Sequence, residues 1–146
     1  GKMDKKDYRV FVLMGDGELA EGSVWEAAMA ASFYQLDNLV GIVDRNGLQI
    51  SGKTEEVMAI EPLEDKWRSF GWNVSVVDGH DIPALCEALS ENRKVQSKPT
   101  LIIAETVKGK GISFMENNPK WHHGVMSPEE YKKACEELDR MMEVPL

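Results

Sequence analysis

The amino-acid sequence predicts an α/β fold of three layers, in which a parallel β-sheet is flanked by helices. Two observations lead to this prediction. Four short segments are nearly continuous in apolar residues and rich in aliphatic or β-branched side chains, which is typical of strands buried on both faces. Helix-forming segments lie between them, and a regular alternation of strand and helix is typical of parallel sheets.

The individual elements follow from local composition and from helix-capping signals. The strands are predicted at residues 9–14, 39–43, 72–77 and 100–104. The helices are predicted at residues 21–34, 61–70, 82–93 and 127–142. The first of these helices is rich in helix formers, and Pro62 stands near the start of the second. The last begins with Ser127 as an N-cap and Pro128 at the first helical position.

The middle of the first helix has almost no polar face. Its sequence there is Ala27, Ala28, Met29, Ala30 and Ala31. A helix that is apolar on all sides is buried. Two explanations are open: the helix is enclosed by its own domain, or it also packs against a partner chain.

The segment 107–126 interrupts the alternation of strands and helices. It contains glycines, paired asparagines, Pro119 and the run Trp121-His122-His123-Gly124. A segment of this length without regular structure is uncommon in a compact domain unless it has a function. We therefore expect a long functional loop.

Length and composition restrict the class of protein. The 146 residues have the length of one domain, and 42% of them are hydrophobic, which is enough for a core. The 25 acidic and 17 basic residues give a formal net charge of −8, so we expect no nucleic acid and no anionic membrane as partner.

Cys86 and Cys135 are expected to be free thiols. With no transmembrane-length apolar run and no signal peptide in the sequence, we expect a cytoplasmic protein.

Two polar turns follow the first two predicted strands. Gly15-Asp16-Gly17-Glu18 follows strand 9–14, and Asp44-Arg45-Asn46-Gly47 follows strand 39–43. The carboxyl ends of parallel strands lie at one edge of the sheet, where such sheets bind ligands, so Asp16 and Asn46 could lie side by side. Magnesium binds one or two side-chain oxygens and completes its shell with phosphate oxygens and water. The backbone carbonyl of Leu48 could be a further ligand.

Each turn taken alone is also compatible with an ordinary loop. The joint placement of the two turns after two strands favours a cation site with a diphosphate-bearing ligand. Other phosphate or cation motifs fit worse, because the spacing of the glycines misses the dinucleotide-binding pattern and there is no Gly-Lys-[Ser/Thr] of a P-loop. The acidic residues also lack the alternation of an EF-hand loop.

The stretch MGDGELAEGSVWEAAMAASFYQLDNLVGIVDRNGLQISG closely resembles the thiamine-diphosphate-binding region of transketolases, especially of the split form with two subunits. The family pattern is Gly-Asp-Gly followed about thirty residues later by Asn, which Asp16 and Asn46 match. The resemblance continues through VDGHD at 77–81 and KPTLIIAETVKGKGISFMENNPKWHHG at 98–124. It covers nearly the whole chain.

The resemblance implies roles for particular residues. The implied Mg²⁺ ligands are Asp16, Asn46 and the carbonyl of Leu48. The implied cofactor-binding residues are Gly15, Asp16, Gly17, Glu18, Asn46, Leu48, Ile50 and His123. Ile50 would pack against the thiazolium ring, and His123 would contact the diphosphate and the reacting centre. Surface exposure remains the alternative for His122.

Two glutamates are also matched to family positions. Glu21 and Glu26 resemble glutamates at the subunit interface that link two cofactor sites, and with His123 they form the expected catalytic set. The competing explanation for Glu21 is electrostatic, since a carboxylate is favoured in the first turn of a helix. For Lys108 and Lys110, a solvated basic loop is the simpler explanation than phosphate binding.

The resemblance further implies a single, partial diphosphate-binding domain over residues 1–146, incomplete at its N-terminus and inactive alone. A pyrimidine-binding subunit would complete the enzyme, as a homodimer or heterotetramer acting on sugar phosphates. The expected activity is transfer of a two-carbon ketol unit, as in the pentose phosphate pathway. Two alternatives are another thiamine-diphosphate enzyme, namely a 2-oxo acid dehydrogenase α subunit or a deoxyxylulose-phosphate synthase, and a non-catalytic binding or assembly module.

Overall fold

A parallel four-stranded sheet forms the centre of the fold. The computed structural model describes residues 1–142. The order of the strands in the sheet is β1-β2-β6-β5, and every neighbouring pair is parallel. These strands are β1 (Val10–Gly15), β2 (Leu39–Arg45), β5 (Asn73–Asp78) and β6 (Thr100–Glu105). A separate antiparallel hairpin is formed by β3 (Leu48–Gln49) and β4 (Gly52–Lys53).

Helices connect and flank the strands. They are α1 (Gly22–Phe33), α2 (Thr54–Val57), α3 (Leu63–Ser69), α4 (Ile82–Glu91) and α5 (Pro128–Met142). Short 3₁₀ turns lie at Gly17–Ala20, Asn92–Lys94 and Pro119–His122. The sequence-based prediction of a parallel sheet with flanking helices is confirmed, and all eight predicted elements lie within two residues of their expected bounds.

Helices α4 and α5 each begin with a side-chain cap. The Ser127 hydroxyl accepts the backbone N–H of Glu130 at 3.2 Å, and the Glu130 carboxylate accepts the backbone N–H of Ser127 at 2.8 Å. This reciprocal pair is a capping box. Asp81 caps α4 in a similar way, since its carboxylate accepts the N–H of Ala84 at 3.0 Å.

The main core lies on one face of the sheet, beneath α1 and α3. Trp25, Trp67 and Trp72 form its aromatic centre, with the rings of Trp67 and Trp72 edge to face at 4.8 Å. The indole N–H of Trp72 donates to the carbonyl of Ala28 at 2.9 Å, which ties α1 to the start of β5. Burial of these large rings supplies much of the apolar stabilisation of this face.

Strand β1 and helix α1 both expose apolar side chains. Strand β1 lies at the edge of the sheet, and its Leu13 side chain is 72% exposed. The prediction that this strand is buried on both faces is therefore wrong here, because burial of a strand's faces depends on the helices that cover them, and the described residues leave both faces of β1 exposed from Val10 to Leu13. Helix α1 buries Ala28 and Ala31 but exposes Met29 and Phe33. Its own domain thus encloses one side of the helix.

The register of the sheet brings the carboxyl ends of the strands together. Gly15 of β1 pairs with Asp44 of β2, and Arg45 of β2 pairs with Glu105 of β6. The backbone N–H of Asp16 continues the β1–β2 ladder by donating to the carbonyl of Asp44 at 3.2 Å. The two polar turns that follow β1 and β2 consequently lie side by side.

Replacement of Trp67 by alanine tests the aromatic core. Trp67 is 1% exposed and contacts two other tryptophans, so Trp67→Ala should lower the free energy of unfolding by about 3–5 kcal/mol. Urea denaturation of the full-length protein, monitored by circular dichroism, measures this change. The matched control is Tyr131→Ala on α5, where the side chain is 65% exposed and the expected change is within about 0.5 kcal/mol. Equal losses in the two variants would contradict this assignment of the core.

Candidate functional site

Asp16 is the buried centre of the site. It directly follows β1, and its side chain is 1% exposed. One carboxylate oxygen, Oδ1, accepts the backbone N–H of Gly17 at 2.8 Å. The other, Oδ2, accepts the backbone N–H of Gly47 at 2.6 Å and the Arg45 guanidinium at 2.8 Å. The carboxylate therefore joins the turn after β1 to the turn after β2.

Asn46 lies in the second turn and is held by its neighbours. Its amide nitrogen donates to Asp44 at 3.2 Å, and its amide oxygen accepts the backbone N–H of Leu48 at 3.0 Å. Asp44 is itself fixed by the hydroxyl of Thr106, which follows β6. Gly47 has a φ of 75°, a conformation that glycine adopts at little cost and that turns the chain back towards Asp16.

The two glycines beside Asp16 have different surroundings. A Cβ atom on Gly17 would lie 2.7 Å from the Cβ of Gln49, which is closer than real side chains approach. A Cβ on Gly15 would have nothing within 4 Å. Gly17 thus permits the close packing of β3 against the first turn, while Gly15 borders open space. The Glu18 carboxylate accepts the Gly15 backbone N–H at 3.2 Å, although Glu18 itself is exposed.

Arg45 is a site residue that sequence analysis missed. Its guanidinium donates to Asp16, to the hydroxyl of Thr54 at 2.7 Å, and to Glu55 and Glu61, each at 2.9 Å. A signal was available in the sequence: a buried aspartate needs a positive partner, and Arg45 is the basic residue inside the second turn. The glutamates that it contacts lie beyond the hairpin and could not be assigned from spacing.

The opposite charges of Arg45 and Glu61 each favour the ionised form of the other residue. Burial lowers the pKa of Arg45, but hydrogen bonds to Asp16 and Glu61 and the charges of both outweigh burial, so the pKa is raised. The pKa of Glu61 is lowered, first because its carboxylate accepts the Leu63 backbone N–H and further because Arg45 donates to it, which together outweigh partial burial. Arg45 and Glu61 are therefore both charged at neutral pH.

The hairpin places Leu48 and Ile50 next to these turns. The backbone N–H of Thr54 donates to the carbonyl of Gly47 at 3.0 Å, which closes the hairpin onto the second turn. Leu48 is half-buried, and Ile50, at the tip of the hairpin, is 63% exposed. Ile50 is thus an apolar side chain with a free surface near the cluster.

The long loop returns to the hairpin through its 3₁₀ turn. Pro119–His122 contacts β3, so this part of the loop lies beside the residues that follow β2. The turn is supported from within, since the indole N–H of Trp121 donates to the carbonyl of Phe114 at 3.1 Å. His122 and His123 are both exposed, with their rings edge to face at 4.8 Å.

Glu21 and Glu26 are not drawn into the cluster of Asp16 and Arg45. Both side chains are exposed. The helix begins at Gly22, so Glu21 occupies the N-cap position and makes no capping hydrogen bond with its side chain. The expectation that Glu21 lies in the first turn is therefore wrong by one residue.

The oxygen donors at the two turns fit a magnesium ion. Asp16 supplies a carboxylate, Asn46 an amide oxygen and Leu48 a backbone carbonyl, and Mg²⁺ accepts such hard ligands when phosphate and water complete its octahedron. Residues 1–142 contain no group of three or more His, Cys, Asp or Glu side chains that could hold a metal. The described residues therefore offer no metal site built from such side chains alone. A Mg²⁺ ion at the two turns would need phosphate oxygens from a bound ligand to complete its shell.

The fold and these turns define a class of protein: an α/β domain whose polar turns lie together at the carboxyl ends of neighbouring parallel strands, the edge at which such sheets bind ligands. Residues 2–141 match the family described as "Transketolase, thiamine diphosphate binding domain". The chain belongs to this transketolase family. The match favours the transketolase interpretation over other thiamine-diphosphate enzymes and over a non-catalytic module.

Named relatives agree with this assignment. The chain is 51% identical to one subunit of the apulose-4-phosphate transketolase of Phocaeicola vulgatus, covering 97% of this chain and 50% of that protein. It is 42% identical to the 6-deoxy-6-sulfo-D-fructose transketolase subunit SqwG of a Clostridium species, covering 95% of this chain and 50% of that protein. The chain spans about half the length of these relatives.

A solved structure has the same fold. The transketolase of Campylobacter jejuni superposes with a TM-score of 0.85 at 34% sequence identity, covering 93% of this chain and 21% of that one. In the described part of this chain, no helix is both long and apolar enough to cross a membrane.

Gly17→Ala and Gly15→Ala form a matched pair that tests the packing of the first turn. The added methyl group at Gly17 would collide with Gln49, so Gly17→Ala should destabilise the protein by about 1–3 kcal/mol, measured by urea denaturation of the full-length protein. Gly15→Ala adds the same methyl group where nothing lies within 4 Å. If Gly15→Ala lowered the free energy of unfolding as much as Gly17→Ala, the close contact between β3 and the first turn would not explain why residue 17 is glycine.

Proposed function

We propose that this chain is the diphosphate-binding part of a two-subunit transketolase. In this proposal the turns after β1 and β2 hold Mg²⁺ through Asp16, Asn46 and the carbonyl of Leu48, and the ion holds the diphosphate of thiamine diphosphate. The observation that carries the proposal is the buried Asp16 carboxylate, whose hydrogen bonds fix both turns at the carboxyl edge of the sheet. Family membership supplies the identity of the cofactor.

The chain's own residues bind and orient, while the chemistry belongs to the cofactor. When bound, thiamine diphosphate supplies the nucleophilic carbon that allows a two-carbon ketol unit to pass between sugar phosphates. Ile50 presents an apolar surface suited to the thiazolium ring, since its side chain is exposed beside the site. His123 directly follows the turn that contacts β3, which supports its assignment to the diphosphate end and the reacting centre.

The first turn would receive the phosphate groups. Gly15 borders open space in the direction where a Cβ atom would lie, so a ligand could approach the backbone from that side. Gly17 and Glu18 open the 3₁₀ turn that directly follows Asp16, and the Glu18 carboxylate lies beside Gly15. We assign Gly15, Gly17 and Glu18 to the phosphate end of the cofactor.

A second subunit with a pyrimidine-binding domain would complete the active site. Two of the named relatives are subunits of transketolases, which supports a divided enzyme. The exposed apolar surfaces of β1 and α1 support a larger assembly. In this assembly, residues 1–146 would be part of a fuller diphosphate-binding domain. The enzyme would be a homodimer or heterotetramer. In such an assembly, Glu21 and Glu26 at the exposed side of α1 would lie at a subunit interface.

The proposed reaction, ketol transfer, belongs to sugar-phosphate metabolism. Ketol transfer between sugar phosphates is the chemistry of the pentose phosphate pathway, and we propose a cytoplasmic enzyme of this type. Because the formal net charge is −8, an anionic ligand needs a local positive charge, which a bound metal ion would supply, and the same net charge speaks against nucleic acid or an anionic membrane as a partner.

Titration calorimetry tests the metal assignment. The full-length protein with its partner subunit should bind thiamine diphosphate and Mg²⁺, and Asp16→Asn should weaken this binding at least tenfold because the variant removes the only carboxylate of the ligand set. Asn46→Ala should weaken it as well, through loss of the amide oxygen.

Asp65→Asn, a neutralising change on the exposed surface of α3, is the control and should bind as the wild type does. Wild-type affinity in both Asp16→Asn and Asn46→Ala would refute the site. No heat of binding with the wild-type enzyme would refute the proposed function as a whole.

A further inference from the structure

Arg45 connects the proposed metal site to a segment outside it. Its side chain is 14% exposed and carries five hydrogen bonds. Nη1 donates to Asp16 and to the Thr54 hydroxyl, Nη2 donates to Glu55 and Glu61, and Nε donates to Glu61 at 3.2 Å. One guanidinium thus joins the first turn, the start of α2 and the residue before Pro62.

The contacts of Asp16 leave one position on its carboxylate for a further partner. An ionised carboxylate has about four acceptor sites on its two oxygens. Oδ2 uses two of them for Arg45 and Gly47, and Oδ1 uses one for Gly17. The remaining acceptor site is on Oδ1. Arg45 therefore determines which oxygen of Asp16 is open.

We propose that Arg45 is a positioning residue for the magnesium site, which holds Asp16 by Oδ2 and leaves Oδ1 to the cation. This inference rests on the proposed function. Residues that hold metal ligands in place contribute substantially to metal affinity, because they fix the orientation of the ligand. Arg45 meets this description, because its own orientation is fixed by further hydrogen bonds to Thr54, Glu55 and Glu61.

Electrostatics allow a cation beside this arginine. The cluster of Arg45, Asp16, Glu55 and Glu61 contains one positive and three negative groups, so an excess of negative charge remains. The positive charge is directed to Oδ2 and to the two glutamates. The cluster as a whole still attracts Mg²⁺.

The geometry requires arginine and cannot be met by lysine. A guanidinium presents five N–H donors in a rigid plane, whereas an ammonium is a compact charge with three donors. Thr54 and Glu61 lie on different nitrogens of Arg45, and a single Nζ atom has no equivalent pair of positions. Arg45→Lys therefore keeps the charge and loses the orientation.

Binding of Mn²⁺, used as a probe in place of Mg²⁺, tests this role. Electron paramagnetic resonance measures free Mn²⁺ in titrations of the full-length protein in the presence of thiamine diphosphate and the partner subunit. Arg45→Lys and Arg45→Met should each weaken Mn²⁺ binding about 10–100-fold. The matched controls are Arg68→Lys and Arg68→Met, since Arg68 on α3 is an exposed arginine paired with Glu64, and both should bind Mn²⁺ as the wild type does.

The outcomes are distinct. If Arg45→Met does not fold, Arg45→Lys decides, because it keeps the buried positive charge. Unchanged or tighter Mn²⁺ binding by a folded Arg45→Lys protein would overturn the inference and leave the proposed function intact, since a purely structural arginine would alter stability and not affinity. Absence of Mn²⁺ binding by the wild type would overturn both.

Discussion

The buried carboxylate of Asp16 is the interaction on which the rest of the site depends. An ionised group removed from water is costly unless it is paired and hydrogen-bonded. Asp16 meets this requirement by accepting two backbone N–H groups and the Arg45 guanidinium. These bonds hold the turns after β1 and β2 together, and the further hydrogen bonds of Arg45 attach the Thr54–Glu61 region to them. Local stability and the proposed cofactor site thus have the same origin.

The parallel sheet makes this arrangement possible. Because β1 and β2 are neighbours in register, the residues that follow them emerge at the same level. β6 completes the edge, since Thr106 directly follows it and donates to Asp44, which in turn positions Asn46. A cation between the first two turns would add a further link between loops that the sheet has already aligned.

Sequence reasoning was most successful where a residue's surroundings are set by its own neighbours in the chain. The strands, the main helices and the capping box at Ser127 have strong local patterns, and the family motif around Asp16 and Asn46 is local as well. The hairpin at Leu48–Gln49 and the short helix α2 were missed because two to four residues give no periodicity. Arg45 was missed because its contacts depend on how the hairpin returns Thr54 and Glu61 to it. The exposure of β1 was missed because an apolar segment does not indicate what covers it.

Anomalous diffraction from crystals of the complete enzyme, grown with Mn²⁺ and thiamine diphosphate, is the most direct test of the central claim. We predict a single Mn²⁺ peak at this domain, bound by Oδ1 of Asp16, the side-chain oxygen of Asn46 and the carbonyl of Leu48, with Arg45 still on Oδ2. A peak bound by other residues, with the two turns unoccupied, would contradict the claim.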